Sequence, residues 1–370
     1  MLNYKWIFIV GLLLLVACVE EPAPMPDIVT VPPTAAAPTL APTMPPPTAT
    51  PTPTNTPVTP IDSAELTFPA PAASYPAFTQ LPITAAEART AAELTENLPF
   101  ERNDIALARA YKGVTLIPEV NPPAAEPLTV GTVQQFSILN ISNNTRSTVD
   151  AELKAVGEHA YFWFDLSDGN AAPSADQLEA TAKSFDKIYE QVIRFFGAES
   201  SPGVDQDVRV HVFNASPITI CNVTVETAAQ CGLLGYFSAA DILPTDVYAQ
   251  SNEREMFVMN GSRFTTSGYL EVLAHEFRHM VEADHDRNDW DWEVEGSAML
   301  AEDLLGYSAD AYGRANSFLN NPDQQLNRWS DSNTTPRYGQ GYALNRYIFD
   351  RFGADLYLEF AQNEAPGLDA

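Results

Sequence analysis

The sequence concentrates three of its five histidines in one short segment, LAHEFRHMVEADH. His275 and His279 are four residues apart, so on an α-helix both imidazoles lie on one face, about one turn apart. Two neutral imidazoles supply half of a tetrahedral zinc site. The adjacent Glu276 is placed to take a proton from an attacking water and to deliver it to a leaving amine. The segment therefore predicts a zinc ion with a general base beside it.

The third histidine of the segment, His285, offers one way to complete the ligand set. It follows His279 by six residues, which matches the metzincin spacing HExxHxxxxxH. That motif needs a glycine where the chain turns out of the helix, but Glu282 stands there and favours continued helix. On an uninterrupted helix His285 would lie about 240° around from His279. We therefore expect His285 to lie away from the metal.

A carboxylate farther along the chain offers the other way. Fifteen residues, 280 to 294, separate His279 from Glu295, which opens a segment of strong helical character. The apolar residues expected to face inward from this segment are Ala298, Met299, Ala301, Leu304 and Leu305. A glutamate delivered by a second helix gives the gluzincin arrangement, two histidines and a glutamate. Glu293 is the alternative ligand, although it precedes the small-residue start of this helix.

Two further kinds of side chain are expected near this centre. Glu302 follows Glu295 by seven residues, so it lies on the same helical face. There it either hydrogen-bonds a ligand histidine or remains a solvated carboxylate. Peptide hydrolysis also needs an electrophilic donor, and Tyr338 or Tyr342 in RYGQGY carries a suitable hydroxyl.

Several segments of the chain resemble a known family. LAHEFRHM, WEVEG and LAEDLLG, followed by RYGQGYALNRYIFDRFG, are similar to segments of hyicolysin-type zinc metallopeptidases and related exported bacterial gluzincins. The resemblance extends from Ser174 to Gly353. It implies a zincin-like catalytic domain of the α+β class that holds one catalytic Zn²⁺ ion.

The resemblance also assigns roles to individual residues. It implies that His275, His279 and Glu295 are the zinc ligands and that Glu276 is the general base. The Y-G pattern of the family favours Tyr338 over Tyr342 as the electrophilic donor.

One departure from the family concerns the residue before the ligand glutamate. The usual asparagine is Val294 here, which affects peptide positioning and leaves the ligands intact. The resemblance and the intact Glu276 predict a surface-anchored zinc endopeptidase acting on protein or peptide substrates. An extended substrate is expected to add to the strand EMFVMN. The alternative is a non-catalytic surface lipoprotein, an adhesion or binding module on the same scaffold.

The N-terminal region predicts export. Residues 1–18 have the apolar run of a signal peptide and end in LVAC, which resembles the bacterial lipobox and predicts a lipid on Cys18. Residues 19–60 are dominated by Pro, Thr and Ala, so we expect a disordered linker. We therefore expect a lipid-anchored protein at the bacterial cell surface, facing outward. The net charge of -28 argues against a nucleic-acid partner.

The remaining sequence divides by pattern. Residues 61–125 indicate a helical lead-in or prosegment, and 126–168 alternate like a small β-rich domain. Residues 169–370 are expected to form the metallopeptidase domain. Members of the family that the chain resembles commonly continue further beyond the Y-G segment, and this resemblance implies either a truncated domain or a missing C-terminal domain.

Other reactive side chains are expected to be structural. Cys221 and Cys231 are predicted to form a disulfide in an oxidising compartment. His159 and His211 are expected to pack within β-rich segments. A structural Ca²⁺ ion is conceivable near the following carboxylates, although solvated acidic loops are favoured: Asp205, Asp207, Asp241, Glu253 and Glu255.

Overall fold

The computed structural model describes residues 84–96, 103–114, 121, 127–171, 173–329, 333–365 and 367, and the backbone of 15–19. Apart from that backbone, the predicted signal peptide at 1–18 and the linker at 19–60 lie outside the described residues. The chain divides into two compact units, Pro24–Phe100 and a larger one formed by Met1–Ala23 with Glu101–Ala370.

The secondary structure is mixed, in agreement with the predicted α+β class. The strands are β1 (Leu15–Val19), β2 (Val133–Asn140), β3 (Thr145–Val156), β4 (Ala160–Asp165), β5 (Val210–Ala215), β6 (Leu233–Ser238) and β7 (Met256–Asn260). The α-helices are α1 (Ala85–Glu96), α2 (Asp104–Leu107), α3 (Ala175–Phe196), α4 (Pro217–Ile220), α5 (Tyr269–His285), α6 (Asp291–Leu304), α7 (Ala309–Asn320), α8 (Thr335–Phe352) and α9 (Ala354–Ala361). Helix α1 belongs to the smaller unit and lies within the predicted lead-in.

The seven strands among the described residues belong to one sheet with the order β1-β6-β7-β5-β4-β3-β2. Strand β4 pairs in parallel with β5, and β5 pairs in parallel with β7, whereas the other pairs are antiparallel. The separate β-rich domain predicted at 126–168 is therefore wrong. Its strands β2, β3 and β4 belong to the same sheet as the later strands. The connection is the pairing of β4 with β5, which lies about fifty residues downstream.

Helix α3 follows its sequence signals closely. Ser174 and Gln177 form the predicted capping box, and Gly197 ends the helix with a positive φ of 95°. The predicted apolar face is buried: Leu178, Phe185, Ile188, Tyr189, Val192 and Phe196. This face packs with α5 against one side of the sheet and forms the larger of the cores.

The other side of the sheet holds a second core because the sheet curls. Two strands, β3 and β4, lie between β2 and β5, yet the ring centroids of Phe136 in β2 and Phe213 in β5 are 4.8 Å apart. Tyr236 of β6 donates a hydrogen bond to the carbonyl of Leu139 in β2. The predicted disulfide between Cys221 and Cys231 is present and lies within this core, with Cα atoms 5.8 Å apart.

The substrate edge predicted at EMFVMN is wrong. Those residues form β7, which pairs with β5 on one side and with β6 on the other. Strand β6 lies next to the motif helix on the outer side of β7, and its second edge pairs antiparallel with β1. None of the helices in the described part of the chain combines the length and the apolar character needed to span a bilayer.

Candidate metal centre

Helix α5 carries the motif residues into the protein interior. It runs without interruption from Tyr269 to His285, as predicted, and His275, Glu276 and His279 are all buried. Helix α6 packs against α5 and begins at Asp291, so the predicted ligand Glu295 lies inside the helix rather than at its start.

The three predicted ligands meet between these helices. Glu295 Oε2 lies 3.2 Å from His275 Nε2 and 3.7 Å from His279 Nε2. One ligand atom of each residue lies within 4.8 Å of the other two. A zinc ion with bonds of about 2.1 Å holds neighbouring ligands roughly 3.4 Å apart, so these separations fit a tetrahedral ion.

His279 supplies a second indication that the residues fit a metal. Among the described residues, neither of its buried ring nitrogens has a hydrogen-bond partner. A buried polar group without a partner is costly, and a metal ion would satisfy it. Burial, together with His275 and Arg278, holds the pKa of His279 well below its ordinary value. The imidazole is therefore neutral, which is the form that binds a metal.

Glu302 contacts one of the two histidines, which is one of the two alternatives expected from its helical spacing. Its Oε1 lies 2.6 Å from His275 Nδ1, on the side of the ring away from Glu295. When Nδ1 donates to this carboxylate, Nε2 presents its lone pair toward the ligand cluster. Burial raises the pKa of Glu302 to about 7, and the hydrogen bond with His275 opposes that rise. The solvated alternative is excluded because Glu302 is buried.

The proposed base Glu276 faces strand β6. A Cβ atom on Gly235 would lie 3.0 Å from Glu276 Cγ and 3.1 Å from its Oε1. Only a glycine leaves room for this carboxylate against the strand without a shift of its neighbours. Val294 lines a small cavity of about 40 Å³ that also includes His279 and Phe237. Val294 thus contributes an apolar surface beside His279.

The two candidate tyrosines are separated by the structure. Tyr338 of α8 donates from its hydroxyl to Glu295 Oε1 over 3.2 Å. Tyr342 instead donates to Asp303 Oδ2 over 2.8 Å, outside the ligand cluster. Tyr338 is therefore the one that reaches the predicted metal centre.

The two alternative ligands lie elsewhere. A Cβ atom on Gly197 would lie 2.8 Å from His285 Nε2, so His285 points toward the end of α3. Glu293 Oε2 accepts hydrogen bonds from the backbone N–H groups of Trp290 and Gly367. Glu293 thus caps the start of α6 and does not join the histidines.

Sequence reasoning missed a buried contact that fixes the two ligand helices. Arg278 Nη1 lies 3.4 Å from Glu282 Oε2 on α5, and the hydroxyl of Ser297 on α6 donates to the same oxygen over 3.1 Å. Arg278 and Glu282 are four residues apart, a spacing typical of an ion pair on one helix, so the sequence did indicate that they could pair. Their burial could not be inferred from that spacing.

The expectation of solvated acidic loops is wrong for two of the carboxylates. Asp241 is buried and accepts from both terminal nitrogens of Arg146 at 2.8 and 3.1 Å. Glu255 is buried and accepts from the backbone N–H of Val204. His211 is buried in β5, as predicted, between Trp163 and Asp205.

The metal-like clusters among the described residues do not include any of those carboxylates. The structural Ca²⁺ ion that they were considered for therefore gains no support. Comparison of the sequence with protein-family models and with curated proteins gave no match.

Proposed function

We propose that the protein is a zinc-dependent metallopeptidase that hydrolyses peptide bonds in protein or peptide substrates. The observation that carries the proposal is the convergence of His275, His279 and Glu295 within 4.8 Å of one another. Glu276 adjoins this cluster on the same helix, which supports catalysis rather than metal storage alone.

The residues of the chain take complementary roles in this proposal. When bound, the zinc ion supplies a Lewis acid that polarises the scissile carbonyl and makes water more acidic. Glu276 accepts the proton of the attacking water and returns it to the leaving amine. The hydroxyl of Tyr338 donates to the oxyanion that develops on the former carbonyl oxygen.

Strand β6 is the proposed binding edge for an extended substrate. It passes over the motif helix, and its residue Gly235 adjoins Glu276. Strand β1 pairs with β6 through Cys18 opposite Gly235. Because β1 occupies that edge, a substrate can add to β6 only in its place, and the predicted cleavage before Cys18 would remove Leu15–Ala17 of β1. The substrate would then run beside the proposed base, with its main chain hydrogen-bonded to β6.

The proposed location follows from the N-terminal sequence. We propose that the protein is exported and anchored at the cell surface through a lipid on Cys18. Membrane fractionation of the wild type and of Cys18→Ser tests this. Recovery of both proteins in the same membrane fraction would contradict a lipid anchor at Cys18.

Hydrolysis of a casein-type substrate by wild type and Glu276→Gln tests the activity. We expect kcat/KM to fall by about 10²-fold to 10⁴-fold because the proton acceptor is lost. Zinc content, measured by mass spectrometry, should not change, because Glu276 is not a proposed ligand. A wild-type protein that binds zinc without hydrolysing any substrate would favour the binding-module alternative.

The ligand set is tested by the same zinc measurement. Glu295→Gln should reduce zinc affinity strongly, whereas Glu293→Gln should leave it unchanged because that carboxylate caps α6. Loss of zinc from His285→Ala but not from Glu295→Gln would instead support the metzincin arrangement.

A further inference from the structure

A second group of side chains has the composition of a metal site. Glu158 and His159 lie in the turn between β3 and β4, and Asp186 extends from α3 toward them. One ligand atom of each lies within 4.8 Å of the other two. These elements contribute no residue to the centre between α5 and α6.

The separation of two members of the group matches that of coordinated ligands. His159 Nδ1 lies 3.2 Å from Asp186 Oδ1. Neighbouring ligands of an ion with bonds of about 2.1 Å are roughly 3.0 to 3.4 Å apart. One ligand atom of Glu158, the residue before His159 in the chain, lies within 4.8 Å of both.

The imidazole is already held in position. The His159 ring stacks on Tyr189 with centroids 4.0 Å apart, and the Tyr189 hydroxyl donates to Glu199. The backbone N–H of His159 donates to Asp186 Oδ1 over 3.0 Å, which fixes the turn against α3. Binding an ion would therefore order few additional groups, which favours affinity.

Solvent can reach the group. The side chains of His159 and Asp186 are each 21% exposed. A groove of about 380 Å³ runs between the same turn and α3, and both Glu158 and Asp186 line it. Water can therefore fill the coordination positions that the protein leaves open.

We propose that Glu158, His159 and Asp186 bind a second divalent transition-metal ion. One imidazole and two carboxylates suit borderline ions such as Zn²⁺, Co²⁺ or Mn²⁺. The ion joins the β3–β4 turn to α3, so it stabilises the contact between helix and sheet. This site does not depend on whether the other centre is catalytic.

Zinc titration of the metal-stripped full-length protein tests the proposal, with bound zinc counted by mass spectrometry after equilibrium dialysis. We expect two ions in the wild type. One ion is expected in the double variant His159→Gln/Asp186→Asn and one in His275→Gln/His279→Gln. Asp176→Asn, which removes an exposed carboxylate at the start of α3, is the control and should keep both.

Thermal unfolding supplies a second readout. Zinc should raise the Tm of His275→Gln/His279→Gln but have a much smaller effect on that protein when His159 and Asp186 are also replaced. Glu158→Gln, an exposed change that should not affect folding, is expected to lower the affinity of the second ion at least tenfold. A wild type that binds one ion only, or a second ion that survives loss of His159 and Asp186, overturns the proposal.

Discussion

Glu302 Oε1 lies 2.6 Å from His275 Nδ1, while Glu295 Oε2 lies 3.2 Å from Nε2 of the same ring. Two carboxylates from one helix thus hold both nitrogens of one imidazole. Because the residues are seven apart, α6 presents both on one face. The orientation of the ring of this proposed ligand is therefore set by a residue that does not itself join the cluster.

Glu302→Gln tests this relationship. The amide cannot supply the charged acceptor for Nδ1–H, so we expect zinc affinity to fall by about 10-fold to 100-fold. Competition with a chromogenic chelator measures the affinity. Asp303→Asn is the matched control, since that carboxylate binds Tyr342 and Arg346 instead. Equal zinc affinity in Glu302→Gln and the wild type would show that the hydrogen bond does not support the ligand.

Tyr338→Phe and Tyr342→Phe separate the two tyrosines functionally. We expect Tyr338→Phe to lower kcat by about 10-fold to 1,000-fold, because it removes a donor beside the reacting carbonyl. Tyr342→Phe should leave kcat unchanged and should cost about 1 kcal/mol of unfolding free energy through its lost bond to Asp303. Steady-state kinetics and denaturant unfolding measure these effects. Equal kcat values for the two variants would remove Tyr338 from the proposed mechanism.

Gly296→Ala tests the close packing that positions Glu295. An added Cβ would lie 2.3 Å from Asn345 Nδ2 and 2.4 Å from the carbonyl carbon of Gly341, so α6 and α8 must separate. We expect a loss of about 1–3 kcal/mol in unfolding free energy together with weaker zinc binding. Gly313→Ala is the control, because nothing lies within 4 Å of its added Cβ. That helical change should stabilise by about 0.5–1 kcal/mol, and a similar gain in Gly296→Ala would contradict the packing.

The buried carboxyl of Glu255 should make the free energy of unfolding depend on pH. Burial raises the pKa of this carboxyl to about 7 in the folded protein, from an ordinary value of 4.5. The unfolded chain therefore releases its proton first, and this group's contribution to stability is lost as the pH rises from 4.5 to about 7.

Glu255→Gln should remove that contribution. Relative to the wild type, we expect a gain on the order of 3 kcal/mol at pH 8 and little gain at pH 4.5, since one pKa unit corresponds to about 1.4 kcal/mol. Urea unfolding at both pH values measures the difference. Glu190→Gln, an exposed change on α3, is the control. A gain of the same size at both pH values would show that ionisation is not its cause.

Local patterns in the sequence were sufficient for several elements. The capping box and apolar spacing predicted α3, and the four-residue spacing of His275 and His279 placed both on one face of α5. These features could be predicted because helical hydrogen bonds and side-chain periodicity join residues only a few positions apart. The continuous helix also placed His285 away from the other two histidines.

Long-range pairing limited the rest of the prediction. The prediction of a separate β-rich domain was wrong because β4 pairs with β5. The prediction of a substrate-binding edge on β7 was wrong because β6 pairs with that edge. Asp241 was expected in solvent, yet it is buried against Arg146, 95 residues away. Alternating strand patterns indicate which residues form strands, but they do not specify which strands become neighbours.

The sequence alone determined the chemistry that is available: two histidines one turn apart, an adjacent glutamate and two downstream carboxylates on one helical face. Only the tertiary structure decided which carboxylate meets which nitrogen and which tyrosine reaches the cluster. It also brought Glu158, His159 and Asp186 together from a turn and a helix. The physical reason is that coordination depends on distances of a few ångströms, which are set by packing between elements and not by spacing within them.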